Sequence, residues 1–176
     1  GEWNTLSEEV KVSAPASKGS SSSKRSNLQP SYLNSISGHD EIRYKTGLQE
    51  LDRVLGGGIV KGSLVLLSGD PGIGKSTILL QICQHIGKNL RILYVSGEES
   101  ASQIKLRADR LGVDTPNLEL IFDTDVEAVC DYIRTDKPNL VIIDSIQTMN
   151  IAELSSSSGS ITQVRECTNL LLRVAK

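Results

Sequence analysis

An α/β fold built on a mainly parallel sheet is predicted by three observations. Residues 69–76 read Gly69-Asp70-Pro71-Gly72-Ile73-Gly74-Lys75-Ser76, a complete G-x-x-x-x-G-K-[ST] phosphate loop. Apolar runs stand before it (63–68) and after it (77–82), giving the strand–loop–helix context the motif requires. Further along, apolar runs at 91–96, 118–122 and 140–144 alternate with amphipathic stretches bounded by Ser, Asp and Gly, the pattern of βαβ units.

Taken in order, the chain opens at Gly1 with no Met and so reads as a fragment or processed chain. Residues 11–35 are largely Ser, Lys, Pro and Gly, too polar to offset the entropy of ordering them, and read as a flexible, disordered linker. Order is expected to return near Ile36. Thr46 and Gln49 have capping-box spacing, Leu48, Leu51 and Leu55 repeat at helical spacing, and Gly56-Gly57-Gly58 stops that helix. A turn at Lys61-Gly62 starts the phosphate-loop strand, 63–68, expected to be buried. The helix after the loop runs to about Ile86, with Gly87 as its stop. Strand 91–96 follows. Ser100 and Gln103 form another capping box, Ile104, Ala108 and Leu111 an apolar stripe, and Gly112 its end. After strand 118–122, Asp125 caps a helix carrying Val126, Val129, Cys130 and Ile133, which Lys137-Pro138-Asn139 breaks. Residues 140–144 are nearly all apolar and predict a strand buried on both faces. A serine-rich loop, 150–160, leads to a last helix marked by Ile161, Val164, Leu171 and Ala175, with Ser160 and Gln163 spaced as a capping box.

Bulk composition bounds the function. A chain of 176 residues with 38% apolar residues and 15 glycines supports one core. A net charge of −2 supplies no global basic field, and 3% aromatics leave little for a stacking platform on single strands. Cys83, Cys130 and Cys167 lie far apart with no C-x-x-C pair, so they read as reduced core thiols of a cytoplasmic protein rather than zinc ligands or disulfides. No signal peptide or bilayer-length apolar run is visible, so no membrane partner is expected.

The chemistry gathers at the strand ends. The loop glycines let successive backbone N–H groups of 69–77 (Gly69, Asp70, Pro71, Gly72, Ile73, Gly74, Lys75, Ser76, Thr77) surround phosphate oxygens, Pro71 contributing shape only, and the helix N-terminus adds partial positive charge. Lys75 reaches the β- and γ-phosphates of ATP. The Ser76 hydroxyl ligates Mg²⁺, and Asp144, ending an apolar strand, has Walker-B placement to hold the same ion. Glu98 follows a strand end and is placed to activate water for attack on the γ-phosphate. Glu99 fits better as an acid complementing the dipole of the next helix. The polar 149–160 loop is a candidate contact to a threaded polymer or a plain surface loop. Gln163, Arg165 and Glu166 are candidate contacts to DNA or a neighbouring subunit. His39 and His85 receive no role.

Tyr44-Lys45-Thr46-Gly47, the run 50–60 (Glu-Leu-Asp-Arg-Val-Leu-Gly-Gly-Gly-Ile-Val), the phosphate loop, Val95-Ser96-Gly97-Glu98-Glu99-Ser100 and Gln163-Val164-Arg165-Glu166 together resemble the RadA (Sms) family of bacterial DNA-repair proteins, within the RecA-like P-loop ATPases. The resemblance runs from about 36 to 176. It implies three parts: 1–10 as a remnant behind a zinc finger, 11–35 as linker, and 36–176 as the N-terminal part of a RecA-like core. In that family Gly1-Glu2-Trp3-Asn4-Thr5 follows the last cysteine of a four-cysteine finger. Those cysteines are absent here, so Zn²⁺ is expected only in the parent protein. The resemblance also implies a hexameric homo-oligomeric ring. This would use ATP and Mg²⁺, bind single-stranded DNA, promote branch migration of recombination intermediates, and meet recombinase and replication proteins. The core is expected to be truncated after the Walker-B strand and its following helix. The next strand, which the family's order inserts between the Walker-B and phosphate-loop strands, would lie beyond Lys176. These residues alone are therefore expected to expose strand edges and to be aggregation-prone. Two other readings stay open. One is a RecA-like ATPase acting on protein, such as a clock-type ATPase with a paired Glu. The other is a nucleotide-binding regulatory RecA-like module that acts on a protein partner and barely hydrolyses ATP.

Overall fold

The alternation of side chains along three parallel strands organises the fold. The computed structural model describes residues 30–35 and 41–176. In chain order it contains β1 (Arg43–Tyr44), α1 (Gln49–Val54), β2 (Ile59–Val60), α2 (Lys75–Ile86), β3 (Ile92–Ser96), α3 (Ala101–Leu111), β4 (Leu118–Ile121), α4 (Val126–Asp136), β5 (Leu140–Asp144) and α5 (Ile161–Ala175). Strands β4, β3 and β5 form a parallel sheet in that spatial order, with Ile92 opposite Leu118 and Leu140, and Ser96 opposite Asp144.

Because strand side chains alternate, β3 feeds two cores. Ile92 and Tyr94, with Ile142 of β5, pack against Leu80, Cys83 and Ile86 of α2 and Ile104 of α3. Leu93 and Val95 face the other way, against Val126, Val129 and Cys130 of α4 and Cys167 of α5. All five β3 residues are buried, as a central parallel strand covered by helices on both sides must be. The three cysteines are free core thiols, and burial pushes the Cys83 thiol up to about 12.

Sequence punctuation sets most boundaries. Ser100 caps α3 in a complete capping box with Gln103, and Gly112 ends it in the left-handed region at φ 66°. Asp125 accepts from the Glu127 and Ala128 N–H groups at the start of α4. Ser160 accepts from the Gln163 N–H at the start of α5.

Several expectations are corrected. Residues 63–68 form no strand among the described residues. Leu64, Val65, Leu66 and Leu67 are 42, 47, 75 and 36% exposed. A parallel strand is held by its neighbours, and no described strand pairs with this segment. For the same reason β5 is only partly buried: its inner edge pairs with β3 and its other edge with no described strand. Thr46 does not cap α1. The N-cap is Leu48 without a side-chain bond, and the buried Thr46 hydroxyl instead donates to Asp52 Oδ1 at 2.8 Å, beside a second 2.8 Å bond to that oxygen from the Thr46 N–H. Burial raises the Asp52 carboxyl, but these bonds outweigh it and hold the group below its ordinary value. The antiparallel ribbon of β1 and β2, with Tyr44 opposite Ile59, is too short to leave a sequence pattern.

In the separate N-terminal unit, the described residues hold a single 3₁₀ turn, Leu33–Ser35. The expectations for 1–10, for the linker up to residue 29, and for order resuming at Ile36 fall outside the described residues.

Candidate nucleotide site

Each of the four helices longer than ten residues needs acceptors for its first-turn N–H groups. α3, α4 and α5 find them in Ser100, Asp125 and Ser160. α2 does not: its N-cap is Gly74, which has no side chain. The first-turn N–H groups of Lys75, Ser76 and Thr77 therefore face out of the loop without a side-chain acceptor, a donor set suited to phosphate oxygens. Gly72 and Gly74 sit at φ 78° and 104°, and a Cβ on either would meet nothing within 4 Å. Glycine is required there by the left-handed backbone, not by crowding. Lys75 folds back over the loop, its Nζ donating to the carbonyls of Gly69 at 2.8 Å and Asp70 at 2.9 Å.

Alternation along β5 puts Asp144 on the face of Ile142, which is the face α2 covers. Ser76 on α2 and Asp144 thus share one side of the sheet. The Tyr94 hydroxyl, two residues before Ser96 on β3, donates to Asp144 Oδ2 at 2.5 Å. Burial, then the adjacent Asp144 carboxylate, push the Tyr94 phenol well above its ordinary range, so it stays a donor. One hydroxyl and one carboxylate suffice for Mg²⁺, which keeps waters and takes phosphate oxygens for the rest of its shell. The donor types present, a hydroxyl and a carboxylate on one side of the sheet, are therefore those the ion takes.

The paired acids separate. Glu99 makes a two-pronged ion pair with Arg107 of α3 at 2.6 and 2.8 Å, and its N–H bonds the Ser96 hydroxyl. Glu98 is exposed and accepts one bond, from Ser145 Oγ at 2.8 Å, on the residue directly after Asp144. An open cleft of about 550 Å³ lined by 96–101 and 122–124 lies beside it. At Gly97 a Cβ would come within 2.1 Å of Thr148 Oγ1, so only glycine lets the end of β3 approach the turn after β5.

Gln163 does not face outward as a contact residue. It is 2% exposed, and its amide is spent on the loop: Oε1 accepts from Ile151 N at 2.9 Å, and Nε2 donates to the carbonyls of Ile151 at 3.2 Å and Ser156 at 3.0 Å. It clamps the 150–160 loop to α5. Arg165 is exposed and pairs with Glu166. Gln163→Leu should leave buried loop groups unpaired and cost roughly 1–3 kcal/mol. Chemical denaturation, with limited proteolysis reporting new cleavage within 151–160, checks this.

Sequence reasoning missed Tyr94, Ser145 and Arg107. Tyr94 and Ser145 act across the β3–β5 register, which no local pattern reveals. Arg107 lies two turns into α3, beyond the spacing of a helix pair that starts at a cap.

The ATPase: KaiC family model matches residues 44–121. The chain is 49% identical to the DNA repair protein RadA of Bacillus subtilis over 179 aligned residues, covering 100% of this chain and 39% of that protein. It is 47% identical to the DNA repair protein RadA of Escherichia coli over 82% of this chain and 31% of that protein. The chain spans about two fifths of the length of such relatives. Among solved structures, one titled as a DnaB-like replicative helicase and its interactions with primase aligns with TM-score 0.61 and 19% identity, over 81% of this chain and 43% of that one, a likeness of fold. No helix among the described residues is long and apolar enough to cross a membrane.

Proposed function

The chain belongs to the RadA family of RecA-like P-loop ATPases, and we propose that the protein carrying it is a motor of recombinational DNA repair. It binds single-stranded DNA, hydrolyses ATP on it and promotes branch migration of recombination intermediates. Residues 69–77 hold the phosphates of ATP, Ser76 and Asp144 hold Mg²⁺, Lys75 offsets phosphate charge, and Glu98 receives the proton of the attacking water. When bound, Mg²⁺ supplies charge neutralisation at the β- and γ-oxygens. The observation that carries the reading is the pairing of Ser96 with Asp144. It sets Glu98 beside the Walker-B end, and the 145–160 loop leaves from that point. That loop and the exposed Arg165 are the proposed DNA contacts on this chain.

A cytoplasmic homo-hexameric ring working with recombinase and replication proteins belongs to the same proposal. So does Zn²⁺ in the parent protein, held by cysteines other than the three buried here. The 1–10, 11–35 and 36–176 division also remains part of it.

Steady-state ATP hydrolysis by the full-length protein, with and without single-stranded DNA, tests the reading. Stimulation by DNA, with binding that weakens as salt rises, is expected. Tight ATP binding with near-zero, DNA-indifferent turnover would favour a regulatory module acting on a protein.

A further inference from the structure

We infer that Ser145 is the positioning residue for Glu98 and ties its placement to the loop that follows β5. The inference rests on reading Glu98 as the group that takes the proton of the attacking water.

Glu98 is exposed, and a free glutamate at a strand end samples many rotamers. Among the described residues its carboxylate makes one side-chain hydrogen bond, the 2.8 Å bond that Ser145 Oγ donates to Oε1. That bond selects an orientation and leaves Oε2 without a side-chain partner, available to a water. The neighbouring acid cannot take this role while bound as it is, since Arg107 holds both oxygens of Glu99. A hydroxyl suits the task. It donates to the carboxylate without adding a charge of its own.

Ser145 is itself fixed, and by the loop. Its carbonyl accepts from both the N–H (3.2 Å) and the hydroxyl (2.8 Å) of Thr148. Thr148 fills the space over Gly97, the residue before Glu98. Met149 is fully buried. Asn150 N–H then donates to the Thr124 carbonyl at 2.8 Å, and its carbonyl accepts from Val126 N–H at 3.1 Å. Gln163 clamps the next residue, Ile151. Residues 145–151 are therefore tied down at Ser145, Thr148, Asn150 and Ile151, with Glu98 at one end and the exposed part of the loop at the other. A polymer that shifts the loop shifts the hydroxyl that orients the carboxylate. The step served is balanced. Water oxygen bonds to the γ-phosphorus, the bond from that phosphorus to the ADP oxygen breaks, and the water proton goes to Glu98.

The test uses the full-length protein and four variants: Ser145→Ala, Ser145→Thr, Glu98→Gln and the Ser145→Ala/Glu98→Gln double. Ser145→Ala should lower kcat about tenfold, with KM for ATP within about twofold of the parent, and bring the ratio of DNA-stimulated to basal turnover toward one. Ser145→Thr, which keeps the hydroxyl, should restore both. In the Glu98→Gln background, Ser145→Ala should cause no further loss in the single-turnover rate, because the serine acts only through the carboxylate. Circular dichroism melts matching the parent separate this from misfolding. Equal losses in both backgrounds, or a Ser145→Ala protein with parental kcat and parental stimulation, would overturn the inference while leaving Glu98 in place. Parental turnover in Glu98→Gln would overturn the reading of Glu98 itself, and the inference with it.

Discussion

Glu98→Gln should leave ATP binding within about twofold of the parent and cut turnover by on the order of 10²–10⁴, the usual worth of a positioned general base. Glutamine keeps the size of the side chain and can still accept from Ser145 Oγ, so the local geometry of the β3 end survives. It cannot take a proton. The ground state should lose little, because the role proposed for Glu98 is toward the attacking water rather than the nucleotide. An effect on kcat with KM preserved marks an interaction made mainly in the chemical step. Glu99→Gln is the control. That residue is bound by Arg107, so its loss should weaken the start of α3 and lower the melting temperature while sparing most of the turnover. Radiolabelled phosphate release under single-turnover conditions separates the two variants. A Glu99→Gln protein that loses the chemistry while Glu98→Gln retains it would exchange the two assignments.

Local chemistry was legible in the sequence where one residue acts on its neighbours. The caps at Ser100, Asp125 and Ser160 and the stop at Gly112 each act within a turn, so composition and spacing suffice to find them. The phosphate loop is likewise a contiguous eight-residue device. Asp144 and Glu98 were legible as strand-end acids. What they touch was not, because it depends on register: Ser96 opposite Asp144 brings Tyr94 to one carboxylate and Ser145 to the other. Gln163 shows the opposite failure. Its spacing from Ser160 suggests a cap partner or a surface contact, yet its amide turns inward to satisfy loop backbone that has nowhere else to bond. The run 63–68 reads as buried because its composition suits a strand with neighbours on both edges. Composition records what a segment needs, and pairing depends on which strands are present to supply it.

Lys75→Ala should damage binding and chemistry together, and so differ in kind from Glu98→Gln. The Lys75 ammonium donates to the Gly69 and Asp70 carbonyls across the loop, at the place where the α2 N–H groups of residues 75–77 offer positive partial charge and where residues 69–77 are proposed to seat the phosphates. A nucleotide would draw the ammonium from those carbonyls to its β- and γ-oxygens, trading two neutral acceptors for charged ones, which make bonds roughly twice as strong. Losing a charge-assisted bond worth about 1.5–3 kcal/mol should weaken ATP binding roughly ten- to hundredfold. Charge also builds on the leaving oxygen during transfer, so hydrolysis at saturating ATP should fall by a further factor on the order of 10²–10³. Adenosine, which has no phosphate, should bind the variant and the parent equally. Lys75→Arg keeps the charge, but its planar fork does not fit a cradle shaped for a compact ammonium, so it should recover less than half of the lost binding free energy. Titration with a fluorescent ATP analogue, compared with adenosine competition and phosphate release, checks all three. Lys75 is half-buried, over the loop rather than against either hydrophobic cluster, so the melting transition should stay within about 0.5 kcal/mol of the parent. Loss of ATP affinity with an unchanged melt places the lysine at the phosphates, whereas equal loss of adenosine binding would show instead that it holds the loop in shape.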